Sequence, residues 1–174
     1  MAASAAPPSC KACHNALNAR CSVGRKNDYD LLVCPACGTV TVDPFPTIED
    51  LEKFYQAYKD KANYRAKEKK KVRRSLRRIK RMIRLAPGKR FLDVGCNYGF
   101  AVMAALKLGL DAHGIDIDSA AIASDKEVIG EKYFSLAPVE EFASRNLAFD
   151  MLYTSEVIEH VPTPTVLSKA HRNC

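Results

Sequence analysis

The second half of the chain alternates between short apolar runs and segments with apolar residues at every third or fourth position. The short runs predict strands at 90–94, 111–115, 132–136 and 149–154. The periodic segments predict helices at 99–108, 119–127 and 138–144, and a further helix from Thr163. Strands that alternate with helices are typical of a sheet of parallel strands covered on both faces. We therefore predict an α/β fold with about four parallel strands for this half.

The first half of the chain follows a different pattern, with little helical periodicity over residues 10–42. Two prolines within residues 43–46 predict a turn, because proline disfavours the helical conformation of the residue before it. Residues 47–50 have the form of a capping box and predict the start of a helix. The apolar residues at helical spacing in this helix are Leu51, Phe54, Tyr55 and Tyr58.

A strongly basic segment runs from Lys59 to about Arg84 and ends before Pro87. Its apolar residues recur every three or four positions, which predicts a helix with one apolar stripe and cationic sides. The stripe consists of Val72, Leu76, Ile79 and Ile83. Two interpretations stay open. In one, the stripe docks on the sheet and the cations face water; in the other, the cations bind an anionic membrane surface or the backbone of a nucleic acid.

Composition narrows the class of protein. The chain has 174 residues, of which 47% are hydrophobic, and this is enough for a domain with its own core. No apolar run approaches the roughly 20 residues of a transmembrane helix. The net charge of +7 is concentrated in the basic segment. Residues 1–9 are rich in Ala, Pro and Ser and lack the features of a signal peptide, so we expect a disordered tail on a cytoplasmic protein.

Cysteine spacing predicts a metal site. The sequence has seven cysteines, an odd number that does not suit a secreted disulfide scaffold. Cys10 and Cys13 form one C-x-x-C pair and Cys34 and Cys37 form another, and four such thiolates bind Zn²⁺ tetrahedrally. A site closed by four thiolates is structural, because it leaves no open position for catalysis. The neighbouring residues that we expect to be bystanders are His14 and Cys21.

A glycine turn follows the first predicted strand of the α/β half. The turn has the pattern D-x-G-x-N-x-G from Asp93 to Gly99. Such turns aim backbone N–H groups and the positive end of a helix at a ligand. Asn97 tolerates the positive φ that a glycine often supplies there. A dinucleotide fingerprint would need glycine at positions 97 and 100, and a Walker loop would need Gly-Lys-Ser/Thr, so the pattern matches neither.

An acidic residue ends the second predicted strand. Asp116 lies about 20 residues beyond the glycine turn, where a carboxylate can accept hydrogen bonds from both hydroxyls of a ribose. The turn and this acid are also compatible with an ordinary doubly wound domain that carries a surface Asp. On the residues alone, a nucleoside-binding site and a purely structural turn therefore stay open.

Together, the turn and Asp116 resemble the first two motifs of the class I S-adenosylmethionine (SAM) methyltransferases. The resemblance implies a Rossmann-like fold, SAM as the cofactor and methyl transfer to a nucleophile. The residues that it assigns to cofactor binding are Asp93, Gly95, Cys96, Asn97, Gly99, Asp116, Ile117 and Val139. In the third motif, Pro138 stands where the family often has an Asp that contacts the adenine amine. We expect the backbone near Val139 to make this contact, and Glu140 to be an acid in the first turn of a helix.

Residues 149–162 resemble the stretch after the fourth strand in small-molecule methyltransferases, including the ubiquinone-biosynthesis O-methyltransferases. Glu156 and His160 have i,i+4 spacing and would share one face of a helical turn. We assign both as candidate catalytic residues, with His160 as the base that takes a proton from a hydroxyl nucleophile. Two alternatives stay open: a divalent metal held by Glu156, Glu159 and His160, or a pocket wall without chemistry.

Residues 10–58 resemble the zinc-ribbon leader found before some bacterial SAM methyltransferases, in which the metal is structural. The predicted domains are a disordered tail (1–9), a zinc-ribbon module (10–46), a helical linker with the basic helix (47–86) and a SAM-binding domain (87–174). The family's sheet continues beyond the fourth strand, so we expect the last domain to be C-terminally incomplete. A fragment, a truncated product and a chain completed by a partner or as a homodimer stay open.

Two functions follow from these patterns. The first is a SAM-dependent methyltransferase that acts on a small-molecule, sugar or lipid-linked acceptor. The second is a catalytically inactive, methyltransferase-like zinc protein that binds nucleic acid or another anionic partner through its basic helix.

Overall fold

The computed structural model describes residues 8–57, 66–145, 147–161 and 164–167. These residues form a small antiparallel sheet, two helices and a larger α/β unit. The predictions for most of the tail, for Tyr58, for the first part of the basic segment and for most of the last helix lie outside the described residues.

The N-terminal module is a three-stranded antiparallel sheet next to the cysteine pairs. Its elements are a 3₁₀-helix at Ala19–Cys21, β1 at Ser22–Lys26, β2 at Tyr29–Val33 and β3 at Val40–Asp43. Ser9 pairs with Ala16 in an isolated antiparallel bridge, so the module includes a residue that the sequence pattern assigned to the tail. The buried core of this module consists of Cys10, Leu17, Leu32 and Cys34. So small a core rarely holds a fold together without a metal or a disulfide.

Helix α1, at Ile48–Ala57, follows the module. It begins at the predicted capping box, in which the Thr47 hydroxyl accepts from the Asp50 N–H at 3.1 Å and the Asp50 carboxylate accepts from the Thr47 N–H at 3.1 Å. Helix α2, at Glu68–Ile83, contains the described part of the basic segment.

Helix α2 turns its apolar stripe towards the α/β unit. Val72 and Ile79 are buried and Leu76 is partly buried, whereas Ile83 is 37% exposed. The stripe packs mainly on α3 (Phe100–Lys107), the first helix of the α/β unit, rather than directly on the sheet. The basic helix is therefore attached to the α/β unit through its core.

The α/β unit has a parallel four-stranded sheet in the order β6-β5-β4-β7. The strands are β4 at Arg90–Val94, β5 at Asp111–Asp116, β6 at Phe134–Leu136 and β7 at Met151–Thr154, and the helices after α3 are α4 at Ser119–Val128 and α5 at Val139–Ser144. The chain builds outward from β4 to β6 and then crosses back to place β7 on the other side of β4. Ligands bind at the carboxyl ends of the strands where the strand order reverses in this way.

Helices cover both faces of this sheet. Phe91 and Leu92 are consecutive on β4 and both 0% exposed, because successive side chains of a strand point to opposite faces. Phe91 belongs to the core shared with α2 and α3, and Leu92 to the core shared with α5. Burial on both faces explains why this strand is a continuous apolar run in the sequence.

Two strands begin later than the sequence predicted. β6 begins at Phe134 rather than at residue 132, because Glu131–Tyr133 forms a 3₁₀-helix. β7 begins at Met151 rather than at residue 149. Asp150 instead accepts a hydrogen bond from the Arg90 N–H at 2.8 Å, which joins the starts of β7 and β4.

The predicted α/β class, with a parallel sheet of about four strands behind a small cysteine-containing module, is confirmed for the described residues. Within those residues, no helix combines the length and the apolar composition needed to cross a bilayer.

Candidate functional site

A cavity of about 640 Å³ opens at the carboxyl ends of β4, β5 and β7. This volume is in the usual range for sites that hold a cofactor or another small molecule. Its walls come from the loops after these strands, from the start of α5, and from α1 and α2. The lining residues are 51, 54, 71, 74, 75, 78, 93–98, 100–101, 115–118, 137–140, 153, 155–157 and 159–161.

The turn after β4 has a left-handed backbone at several positions. The φ angle is 71° at Gly95, 48° at Asn97 and 59° at Gly99. The Gly95 N–H donates to the Ile115 carbonyl at 2.9 Å and so ties the turn to β5. A Cβ atom added at Gly95 would overlap Cγ2 of Val157, in the loop after β7. Glycine is therefore required at this position both by conformation and by space.

Asp116, at the end of β5, is joined to the turn by a hydrogen bond. One of its carboxylate oxygens accepts from the Asn97 N–H at 2.7 Å, and the other accepts from the Asp118 N–H at 2.9 Å. Burial raises the pKa of Asp116, and these backbone hydrogen bonds oppose the shift. Each oxygen can accept one further hydrogen bond, which suits the two hydroxyls of a ribose.

Asp93 and Cys96 are buried residues of the same turn and also line the cavity. Burial raises the pKa of Asp93 well above its ordinary value, and the nearby carboxylates of Asp116 and Asp125 add to the shift. Burial likewise raises the pKa of the Cys96 thiol. Because thiolate is the reactive form of cysteine, Cys96 has the properties of a packing residue rather than of a nucleophile.

Two buried oxygen atoms at the cavity have no hydrogen-bond partner among the described residues. They are Oδ1 of Asn97 and Oε1 of Glu140. Glu140 lies in the first turn of α5, as expected from the sequence. A buried acceptor without a donor is destabilising and usually marks a place where a ligand or water supplies the missing hydrogen. The two oxygens fit a ligand that carries N–H or O–H groups.

Gly99 does not line the cavity, although it belongs to the predicted cofactor set. A Cβ atom added there would lie 2.8 Å from both Ile129 Cδ1 and Phe134 Cζ. Gly99 therefore serves close packing at the start of α3. The predicted cofactor residues that do line the cavity are Asp93, Gly95, Cys96, Asn97, Asp116, Ile117 and Val139.

Helix α2 contributes residues that the sequence analysis did not assign to the site. Lys71, Arg74 and Arg78 line the cavity, and Arg78 Nη1 donates to the Tyr153 hydroxyl of β7 at 3.0 Å. These cations recur every three or four residues and therefore share one side of the helix. The spacing of these cations in the sequence shows that they lie on one side of the helix. It does not show that this side faces a cavity.

The segment after β7 differs from its prediction. Glu156 has a φ of 60° and lies in a bend, and a 3₁₀-helix covers Ile158–His160, so the predicted helical turn that would align Glu156 with His160 is wrong. A positive φ is uncommon outside glycine and is more frequent at functional sites. Both residues line the cavity, as does Glu159. In the described part of the chain, these three side chains do not converge as a metal site.

The four predicted metal ligands do converge. Their Sγ atoms all lie within 4.8 Å of one another, and Cys10–Cys37 and Cys13–Cys34 are each 3.6 Å apart. A tetrahedral zinc ion with Zn–S bonds of about 2.3 Å needs sulfur atoms roughly 3.8 Å apart, so this donor set fits zinc. Hydrogen bonds with the Thr39 hydroxyl and N–H lower the pKa of Cys37 to about 6. The backbone hydrogen bond from Asn15 lowers the pKa of Cys13, but hydrogen bonds with the neighbouring sulfur atoms outweigh it and raise this pKa to about 12. The convergence of the four sulfur atoms, rather than either pKa, therefore indicates zinc.

Comparison with known proteins agrees with this geometry. Residues 92–174 match the family described as "Methyltransferase domain". The matched segment is thus similar to a methyltransferase domain, and it contains the glycine turn and Asp116. This confirms the resemblance on which the glycine turn and Asp116 were assigned.

The C-terminal half of the chain also resembles individual enzymes. It is 34% identical over 89 residues to the ubiquinone biosynthesis O-methyltransferase of Acinetobacter baumannii (strain AYE), a match that covers 48% of this chain and 38% of that protein. It is 33% identical over 89 residues to the same enzyme of Acinetobacter baylyi, with 48% and 37% covered. It is 32% identical over 88 residues to that of Paraburkholderia phymatum, with 48% and 38% covered. The chain thus spans less than two fifths of the length of these relatives.

A methyltransferase domain implies SAM as the methyl donor, and the cavity fits this cofactor. Asp116 offers acceptors to the ribose hydroxyls, and the glycine turn permits close approach of a ligand to the backbone. The free oxygens of Asn97 and Glu140 are acceptors for further N–H or O–H groups.

Proposed function

We propose that this chain transfers a methyl group from SAM to a small-molecule, sugar or lipid-linked acceptor. The 2.7 Å hydrogen bond between the Asn97 N–H and Asp116 carries the proposal, because it joins the glycine turn and the ribose-binding acid into one corner of the cavity. When bound, SAM supplies a methyl group attached to a positively charged sulfur atom. The residues of the chain hold the reactants in line and exclude water from the cavity.

On the cofactor side, Asp116 accepts hydrogen bonds from the ribose. Ile117 and Val139 line the cavity and contact the adenine ring. We assign the adenine amine to Glu140, whose Oε1 is buried without a hydrogen-bond partner among the residues that the structure describes. This replaces the expected backbone contact near Val139, and it restores a carboxylate to the third motif two residues beyond Pro138.

On the acceptor side, the relatives are O-methyltransferases, and this favours a hydroxyl group as the nucleophile. His160 lines the cavity and takes the proton of this hydroxyl as a general base. Glu156 accepts a hydrogen bond from the acceptor and holds it in place. The left-handed backbone of Glu156 supports a functional role, because this conformation costs free energy in any residue other than glycine and such strain is concentrated at functional sites.

In the N-terminal module, we assign Cys10, Cys13, Cys34 and Cys37 to a structural zinc site. The convergence of the four sulfur atoms supports the assignment, and so does the small core of the module. The zinc ion, when bound, supplies the cross-link that this core lacks.

The proposal is tested by calorimetric titration of S-adenosylhomocysteine (SAH), the demethylated form of SAM, into the zinc-loaded chain. We expect a Kd on the order of 1–100 μM for the native chain and a loss of at least about tenfold in Asp116→Asn. The amide of Asn points an N–H group at backbone N–H groups that now donate to Asp116.

Asp111→Asn is the matched control, because Asp111 is exposed at the start of the same strand. It should leave the SAH affinity unchanged. Absence of SAH binding to a folded, zinc-loaded chain, or equal losses in the two variants, would refute the proposed cofactor site.

The second function, binding of nucleic acid through the basic helix, is supported by the exposed cations of α2 that do not line the cavity. They include Arg73, Arg77, Lys80 and Arg81. Salt-dependent binding of the chain to nucleic acid, combined with no affinity for SAH, would favour this function over methyl transfer.

A further inference from the structure

We propose that the N-terminal module positions α1 as a wall of the cavity, so that ligand binding in the α/β unit depends on residues of the module. Leu51 and Phe54 of α1 form the wall, and a contact between Lys11 and Phe45 joins the module to α1. The inference goes beyond methyl transfer, but it rests on the proposed cofactor site, because the affinity for SAH reports it. It gives the cysteine module a role in ligand binding besides its own folding.

The first observation is that α1 lies at the cavity. Leu51 and Phe54 line the same cavity as Asp116 and the glycine turn. The two apolar residues are three positions apart on the helix, so they lie on one side of it. Phe54 is 59% exposed, and an apolar side chain of this size at a cavity gains free energy when a ligand removes it from water. Leu51 and Phe54 therefore offer a surface that a bound ligand covers.

The second observation is that, within the described residues, the buried cores do not hold α1 in this place. The three hydrophobic clusters include no described side chain of α1. Helix α2, by contrast, contributes Val72 and Ile79 to the core that it shares with α3. A short helix without a buried anchor is marginally stable and keeps its position through the segments attached to it. Of these segments, the one that the structure describes leads to the module.

The third observation is a contact between this connecting segment and the metal-binding cysteines. Phe45 lies between the end of β3 and the start of α1, and Lys11 Nζ lies 5.1 Å from the centre of its ring, in a cation–π contact. Lys11 stands between Cys10 and Cys13, whose sulfur atoms both belong to the converging set. A metal held by these thiolates orders the backbone on either side of Lys11. The capping box at Thr47 then sets where α1 begins.

The consequence is a change of affinity that does not require unfolding of the α/β unit. The module and the parallel sheet have separate cores, so loosening the module leaves β4 and β5 in place. A ligand that needs α1 in position binds with an affinity reduced by the fraction of molecules in which α1 holds that position. If this fraction falls to about one in ten, the apparent Kd rises about tenfold.

The test compares variants of the full chain by SAH affinity, by zinc content and by hydrogen exchange of the α1 and β5 amides. In Cys34→Ser, which removes one of the four thiolates, we expect SAH affinity to fall by at least about tenfold and exchange of α1 to accelerate. Exchange of β5 should stay unchanged, which reports that the α/β unit is folded. Cys21→Ser is the control outside the converging set and should change none of these quantities.

Lys11→Gln tests the connection without altering the cysteines. Zinc content should remain at about one ion per chain, exchange of α1 should accelerate, and SAH affinity should fall by about two- to fivefold, the range of an exposed cation–π contact. Lys132→Gln is the matched control. Lys132 Nζ lies 4.9 Å from the centre of the Tyr133 ring, in the α/β unit and outside the cavity, so its loss should leave α1 and SAH affinity unchanged.

Phe54→Ala tests the wall itself. We expect SAH affinity to fall by at least about threefold with unchanged zinc content, because the ligand loses apolar surface to pack against. Phe54→Leu keeps an apolar side chain and should retain most of the affinity. Leu85→Ala truncates a side chain that is 89% exposed and lies outside the cavity, and it should have no effect on SAH.

Several results would overturn the inference. One is native SAH affinity, or unchanged exchange of α1, in a Cys34→Ser chain that has lost its zinc. Equal acceleration of α1 and β5 in that variant is another, because the module would then stabilise the whole fold. Equal losses in Lys11→Gln and Lys132→Gln would assign the effect to charge in general. Native SAH affinity in Phe54→Ala would show that the ligand does not use the wall.

Failure of the native, zinc-loaded chain to bind SAH is a different outcome, because it would refute the proposed cofactor site. The link between the module and α1 is then still tested by hydrogen exchange, which is measured without SAH. Faster exchange of α1 in Cys34→Ser and in Lys11→Gln, but not in Cys21→Ser or Lys132→Gln, would support that link. The same exchange in all four variants would overturn it.

Discussion

Gly95 and Gly109 both have a left-handed backbone, with φ of 71° and 74°, but their surroundings differ. A Cβ atom at Gly95 would overlap Val157, whereas nothing lies within 4 Å of a Cβ atom at Gly109. At the residue scale, these two positions separate the effect of backbone conformation from the effect of space. The left-handed conformation is readable from the local sequence, but the contact with Val157 is not, because that residue arrives from a loop far along the chain.

Gly95→Ala should therefore lower the free energy of unfolding more than Gly109→Ala. Both changes cost about 1–2 kcal/mol for an alanine in the left-handed region. Gly95→Ala adds roughly 1–3 kcal/mol for the steric overlap, which displaces Val157 or the turn. Denaturant titration measures the two values. Equal destabilisation by the two variants would show that the loop after β7 does not pack on the turn.

The raised pKa of Asp116 predicts how cofactor affinity depends on pH. The ribose needs the carboxylate as an acceptor, and burial makes this carboxylate protonate at a higher pH than an ordinary Asp. The affinity for SAH is thus full above the raised pKa and falls as the pH is lowered through it, because the free chain then takes up a proton that the complex excludes.

Calorimetric titrations of SAH at a series of pH values below 7 measure this dependence. We expect the fall to begin above the ordinary Asp range of about 3.9 and to be much smaller in Asp116→Asn. The same pH profile in the native chain and in Asp116→Asn would assign the titration to another group.

At the element scale, the antiparallel module and the parallel sheet have separate cores. The apolar residues around Cys10 and Cys34 form their own small cluster, apart from the two clusters that enclose β4 and β5. The spacing within and between the two cysteine pairs was sufficient to predict a metal site from the sequence. We therefore expect the strand pairings of β1 with β2 and of β2 with β3 to depend on a bound metal more than on burial of apolar surface.

Cys34→Ser should therefore abolish stoichiometric zinc binding and loosen β2 while sparing β5. The expected zinc content falls from about one ion per chain to near zero, because three thiolates bind zinc far more weakly than four. Hydrogen exchange of the β2 amides should accelerate, and that of the β5 amides should not.

Cys21→Ser is the matched control, because Cys21 packs partly buried against the same cluster without belonging to the converging set. Its zinc content should equal that of the native chain. Retention of zinc in Cys34→Ser, or equal acceleration in both sheets, would contradict the separation of the two units.

At the scale of the whole molecule, α2 contributes both to the hydrophobic core and to the wall of the cavity. Its apolar stripe is part of the core with α3, and the neighbouring side of the helix is a wall of the cavity. The charge pattern suggested a helix whose cations face solvent or bind an external partner. The fold shows that one row of those cations faces the site instead, because docking of the stripe determines the direction of every other side chain on the helix.

Ile79→Ala tests this coupling. Ile79 is 0% exposed, so truncation should lower the free energy of unfolding by about 2–5 kcal/mol and also weaken SAH binding as the wall loosens. Ile83→Ala removes the same atoms from the same helix at a position that is 37% exposed, and it should have a much smaller effect on both quantities. Unchanged SAH affinity in a destabilised Ile79→Ala would show that α2 stabilises the fold without shaping the cofactor site.

Features that depend on neighbours along the chain were predictable from the sequence alone. The alternation of strands and helices, the capping box at Thr47, the left-handed Asn97 and the four cysteines at metal-binding spacing all follow from local patterns. The helical turn after β7 was predicted wrongly because spacing alone cannot reveal that Glu156 adopts a positive φ.

Only the tertiary structure decided how these parts meet. It placed β7 beside β4 and brought Asp116 to the Asn97 N–H. Within the described part of the chain, it also left Glu140 Oε1 without a donor and placed three cations of α2 along the cavity. Each of these results comes from contacts between residues far apart in the chain. Such contacts form when separate apolar surfaces pack together, and their geometry is absent from any local pattern of residues.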